Sequence, residues 1–139
     1  ICFSQSYPSK PVRIVLPFGP GGIADITTRT IAPKLSDSLG QQVIVENMPG
    51  AGGIRAAEAV ARAEPDGHTL LVVALGYAAN PFLYKLPYRT PQDFSPITVL
   101  ASAPNVLVIH PSVAANSVKD MIALARKIDT VLRSNPKIK

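Results

Sequence analysis

Two loops of this chain have the composition to hold an anion. Pro17-Phe18-Gly19-Pro20-Gly21-Gly22 follows the run Val12-Arg13-Ile14-Val15-Leu16, and Pro49-Gly50-Ala51-Gly52-Gly53 follows Val43-Ile44-Val45-Glu46. Each precedes a helix-like stretch. Glycine lets backbone N–H groups approach a ligand closely, and the helix behind points its partly positive N-terminus to the same place. A strand, a glycine-rich turn and a helix start therefore make an anion site from main chain alone.

Other chemistry has less support. Gly19-Pro20-Gly21-Gly22-Ile23-Ala24 fits the G-x-G-x-x-A pattern of dinucleotide sites, with Glu46 ending the next strand as a candidate ribose-binding acid. Against it, Pro17 and Pro20 stiffen a turn that must wrap a pyrophosphate, and the second loop begins directly after Glu46, where it would crowd the ribose. His68 and His110 stand apart from the loops, no Gly-x-Ser-x-Gly elbow occurs, and no catalytic residue is assigned. No Cys/His cluster has metal-ligand spacing, so neither metal nor cofactor is expected. Asp25 is the one acid beside the first loop. It either favours the start of the helix electrostatically or accepts hydrogen bonds from loop N–H groups and fixes their direction.

The loops need elements to position them. Residues 12–17 read as a buried strand ended by Pro17. From Ile23 to Leu39, the residues Ile23, Ile26, Thr27, Thr30, Ile31 and Leu35 recur at helical steps, with Pro33 expected to kink the helix and Gly40 to close it. Gln42–Glu46 is a second strand, Ile54–Ala63 an Ala-rich helix, Pro65-Asp66-Gly67 a turn, and Thr69–Leu75 a third strand. Gly76–Asn80 reads as a loop or helix start and Pro81–Tyr84 as one helical turn, followed by an irregular stretch through Phe94. Ile97–Ala101 and Asn105–His110 carry strand patterns, and Ser117 caps a helix over Val118–Ile128 with Asp120 in its first turn. Strands alternating with helices predict an α/β fold with a parallel sheet covered on both faces. In such sheets ligands bind beyond the carboxyl ends of the strands, where turns 17–22, 47–53 and 76–80 would gather.

The totals agree with a packed domain: 139 residues, 47% hydrophobic and 17% charged, with 14 prolines and nine glycines spread as punctuation. The net charge of +5 suits an anionic partner, but Lys and Arg are scattered singly, which argues against nucleic acid. No run of about 18 apolar residues is present to span a membrane. Ile1-Cys2-Phe3-Ser4-Gln5-Ser6 reads either as the tail of a signal peptide, cut before Tyr7, or as a frayed terminus. Cys2 is the only cysteine, which rules out a disulfide within the chain.

These residues also carry a family resemblance. Tyr7-Pro8-Ser9-Lys10-Pro11-Val12-Arg13-Ile14-Val15-Leu16-Pro17-Phe18-Gly19-Pro20-Gly21-Gly22, with Asp25, resembles the opening of mature Bug-type receptors, the periplasmic solute-binding proteins of tripartite tricarboxylate transporters. The resemblance continues through Val45–Gly53, Pro65–Leu71, Asn80–Tyr84, Leu86–Tyr88, Asp93–Ile97 and Pro104–Val108, and reaches Ser117–Met121. It implies a type II periplasmic binding protein fold whose two lobes close on a small organic carboxylate delivered to membrane transporter subunits. It further implies ligand contacts from Phe18, Gly21, Gly22 and Asp25 in one turn, and from Gly76, Tyr77, Ala78 and Asn80 in another. Tyr77 departs from the small or hydroxyl residues common at its position and would narrow the cleft.

Length is the larger departure, because family members run to about twice this size. Residues 7–103 would form a first lobe and 104–139 only the start of a second. Ile128–Lys139, with Arg133, Lys137 and Lys139, does not resemble the family's continuation. The expectation is an incomplete, weakly binding receptor that self-associates through unpaired strand edges.

Overall fold

Val12–Leu16 forms a strand (β1) because β-branched and aliphatic residues fill every position but Arg13, and Pro17 then ends the ladder. In the computed structural model, which describes residues 7–104 and 106–134, β1 is the centre of a three-stranded parallel sheet. Val43–Asn47 (β2) pairs on one side and Thr69–Leu71 (β3) on the other. The register sets Ile14 beside both Val45 and Leu70, and Leu16 beside Asn47. Signal-peptide readings of residues 1–6, including Cys2, lie outside the described residues, as do Lys137 and Lys139.

The two sheet faces are covered by different helices. Ile23–Leu39 (α1) packs Ala24, Ala32, Leu35 and Leu39 on Val12, Ile14, Leu16 and Val43. Ile54–Ala61 (α2) buries Ala56 and Ala57 against the opposite side, where Leu71 lies. Alanine brings each helix close to the sheet. Full burial of Val12, Val15 and Leu16 stabilises the domain by about 1.5–3 kcal/mol per side chain relative to exposure.

Helix α1 corrects the expected face. Ile23 and Ile26 are 72% and 58% exposed, and the inward stripe is Ala24, Thr28, Ala32, Leu35 and Leu39. Thr28 tolerates complete burial because its hydroxyl donates to the Ala24 carbonyl at 2.7 Å. Pro33 does not interrupt the element. It sits at an exposed position of the helix. Gly40 closes the helix in the left-handed region, its N–H on the Ser36 carbonyl at 3.0 Å.

Three further boundaries differ. β3 stops at Leu71, although the Val72 N–H still reaches the Val15 carbonyl at 3.0 Å. Of the two readings of Gly76–Asn80, the helix start holds, and it runs on through the expected single turn as one helix, Leu75–Leu83 (α3), which carries Pro81 past its first turn. Residues 97–104 and 106–110 form no strand. A strand needs a neighbour to satisfy its ladder, and none of the described strands pairs with these stretches.

Contacts divide the chain between Ser102 and Ala103. In the second unit, Val118–Ser134 (α4) runs beyond Ile128 because neither proline nor glycine intervenes, and Asp129 pairs with Arg133 at 2.9 Å. Its start is capped as expected: Ser117 Oγ accepts the Asp120 N–H at 3.1 Å, and the Asp120 carboxylate accepts the Asn116 N–H at 3.1 Å. Ser117 Oγ and the Asn116 N–H hold the Asp120 carboxyl below the ordinary carboxylate range.

Candidate anion site at the carboxyl edge of the sheet

Parallel pairing on both sides of β1 forces the turns after all three strands onto one edge. The strand order β2-β1-β3 also sends the connections from β1 and β3 away in different directions, the switch point at which α/β sheets bind ligands. Three helices begin at this edge. Their caps, Gly22, Gly53 and Ala74, supply no side-chain hydrogen bond. The first N–H groups of an α-helix have no acceptor inside it, so uncapped starts present donors and a positive dipole end.

A cavity of about 50 Å³ lies among the turns. Pro17 and Phe18 wall it from the first turn, Gly52 and Gly53 from the second, and Gly76, Tyr77 and Asn80 from α3. Leu71 and Ala57 form part of its apolar lining. The second turn approaches closely by an unusual path: Gly50, Ala51, Gly52 and Gly53 have φ of 125°, 48°, 62° and 88°. Such a left-handed run is open to glycine and costly for other residues, so Ala51 carries local strain. Asn80, buried, ties α3 to that turn by donating to the Gly52 carbonyl at 3.0 Å.

The first turn is fixed from the α1 side of the sheet. Buried Asp25 accepts the Gly21 N–H at 2.9 Å, Asn47 Nδ2 at 2.9 Å and Arg29 Nε at 2.9 Å. Asn47 also donates to the Phe18 carbonyl at 3.1 Å and accepts from Arg29 at 2.8 Å. These bonds, the Gly21 N–H foremost, hold the Asp25 carboxyl below the ordinary carboxylate range against the opposing effect of burial. Of the two roles open to Asp25, fixing loop N–H groups is the one the geometry displays.

The candidate residues thus separate. Phe18, Gly76, Tyr77 and Asn80 meet at the cavity, whereas Gly21, Gly22, Asp25 and Ala78 do not line it. The Gly21 N–H is committed to Asp25 and is not a free donor. Gly52 and Gly53 come from the turn 47–53 that the sequence placed at this edge, whereas sequence reasoning missed Asn47 and Arg29 as the partners of Asp25. The signal for Asn47 was a short amide at the carboxyl end of a strand, the position from which it reaches the neighbouring turn.

The rival chemistries find no support here. Glu46 is held by Arg13 through bonds of 2.7 and 3.1 Å, away from the role of a ribose acceptor. His68 is buried and built into the first unit: Nε2 accepts the Ser9 N–H at 3.2 Å, and its ring meets Tyr7 edge-on at 5.0 Å. Among the described residues no group of three His, Cys, Asp or Glu could hold a metal ion, and no helix is long and apolar enough to cross a membrane.

Comparison with known proteins decides the family. The model of the tripartite tricarboxylate transporter family receptor, TctC, matches residues 27–133. The chain belongs to this receptor family. Protein BugT of Bordetella pertussis is 36% identical over 126 residues, covering 86% of this chain and 38% of BugT. A Rhodopseudomonas palustris protein, Rpa4515, solved with adipate, is 36% identical with a TM-score of 0.68, over 87% of this chain and 41% of its own. MatC of the same organism, solved with malate, is 45% identical with a TM-score of 0.63, over 68% of this chain and 33% of its own. The chain therefore spans about two-fifths or less of these relatives, and its fold is the corresponding part of a periplasmic binding protein.

Proposed function

We propose that the three-turn edge is a carboxylate-binding wall, and that the chain serves as, or as part of, a periplasmic solute-binding receptor for a small organic carboxylate. The observation that carries this reading is the gathering of three uncapped helix starts on one sheet edge, with two of them, at Gly53 and Ala74, walling a cavity with an apolar lining. Main-chain donors suit a carboxylate, and the apolar lining suits a short carbon chain. The adipate and malate bound to the relatives are of this class. The receptor binds without catalysis or cofactor and hands its ligand to membrane transporter subunits.

Affinity of this chain alone is expected to be on the order of millimolar, about 4 kcal/mol, because a carboxylate on one open wall remains in contact with water that competes for the N–H groups. Titration of the ¹⁵N-labelled chain with dicarboxylates, read by amide shifts, tests the reading. Shifts confined to residues 17–22, 50–57 and 74–80 are expected. Binding of NAD or a nucleotide, with no response to carboxylates, would refute it in favour of the dinucleotide alternative.

A further inference from the structure

We infer that Tyr77 is the size-selecting wall of the site, and that Phe94, which does not line the cavity, is its positioning residue. The inference rests on the carboxylate reading and deepens it. Tyr77 lies in the first turn of α3 and lines the cavity. Its ring meets Phe94 edge-on, with centroids 5.4 Å apart and planes at 89°. Phe94 meets Tyr88 in the same way, at 5.6 Å and 86°, and Tyr88 is only 7% exposed.

Phe94 is itself held by a closed turn. Asp93 accepts the Arg89 N–H at 2.8 Å and the Arg89 guanidinium at 2.7 and 2.9 Å, while the Phe94 N–H reaches the Pro91 carbonyl at 2.9 Å. Edge-to-face pairs on both sides of Phe94, the geometry aromatic quadrupoles favour, oppose rotation of the Tyr77 ring. A cavity of about 50 Å³ takes only a few water-sized groups, as one enclosed water needs about 10–15 Å³ of such space. The rest of a ligand must then lie at the mouth, beside a ring that does not swing aside. The wall favours short ligands and penalises long ones.

The experiment compares succinate, with four carbons, and adipate, with six, by amide-shift titration of the parent chain, Tyr77→Ala, Tyr77→Leu, Tyr77→Phe and Phe94→Ala. One methylene in an apolar pocket is worth tenfold or more in discrimination. The adipate-to-succinate affinity ratio is expected to rise about tenfold in Tyr77→Ala and in Tyr77→Leu, which retains apolar bulk if the alanine variant unfolds. Phe94→Ala should move it in the same direction, and Tyr77→Phe should restore the parent ratio. A change below threefold in the Tyr77→Ala or Tyr77→Leu chain overturns the inference and leaves the carboxylate reading standing. A parent chain that binds neither acid overturns both.

Discussion

Gly53→Ala tests the close approach of the second turn to the first. Gly53 has φ of 88°, and a Cβ built there lies 3.0 Å from Pro17 Cβ and 3.6 Å from its Cγ. An L-residue in the left-handed region costs about 1–2 kcal/mol. Crowding adds about 1–3 kcal/mol, because a proline ring cannot rotate away. Alanine returns about 0.4–1 kcal/mol by restricting the unfolded chain. The expected net destabilisation is about 3 kcal/mol, a large part of the stability of a small domain. Two glycines in the first turn serve as controls. Gly21 has φ of 83° with nothing within 4 Å of the added Cβ, so Gly21→Ala should cost only about 1 kcal/mol. Gly19 has neither feature, and Gly19→Ala should be neutral or slightly stabilising. Urea unfolding followed by circular dichroism measures all three. Equal midpoints for Gly53→Ala and Gly21→Ala would refute the contact between the turns, and with it the geometry of the cavity.

Asn80→Leu leaves the Gly52 carbonyl without its side-chain donor and should cost about 1–3 kcal/mol, read by the same unfolding experiment. An unchanged midpoint would mean that water replaces the amide. Acid should destabilise the fold through four carboxylates held below their ordinary range: Asp25 by the Gly21 N–H first, Asp66 by Lys10, Asp93 by the Arg89 N–H and Asp120 by Ser117. A carboxyl with a lower pKa in the folded state binds fewer protons there, so its contribution is present above the unfolded pKa of about 3.9 and is lost as pH falls through the folded value. Stability should hold level from about pH 7 to 5 and fall below about pH 4, with a smaller fall in Asp66→Asn. A stability that rises on acidification would contradict the sign.

Much of this fold was legible because its signals are local. Pro17 and Gly40 end elements by their own backbone limits, and Ser117 caps a helix through a side chain three residues from its partner. The face of α1 was not legible. Apolar periodicity selects the largest side chains, Ile23 and Ile26, whereas the sheet selected Ala24, Thr28 and Ala32, whose small size permits a close approach. The pairing of Ile97–Ala101 failed for a related reason: β-propensity describes fitness for a sheet edge and does not supply one. Tyr88 and Phe94 lie in a stretch whose prolines announced only irregular chain, so the aromatic support for Tyr77 emerges from tertiary packing alone.

The site shows the same division between what backbone chemistry dictates and what packing must add. Glycine turns after parallel strands place helix starts together by topology, and that much follows from the order of residue types. Whether a given N–H is free depends on side chains distant in sequence. Asp25 takes the Gly21 N–H, and Asn47, from the next strand, binds both Asp25 and the Phe18 carbonyl. The most conspicuous glycine of the first loop is therefore structural, while Phe18 of the same loop lines the cavity. The first turn is thus fixed by Asp25 and Asn47 on the α1 side of the sheet, and the apolar cavity lies on the α2 side. On the proposed carboxylate reading, substitutions at Asp25 or Asn47 should change anion affinity, and substitutions at Tyr77 should change the preferred ligand size.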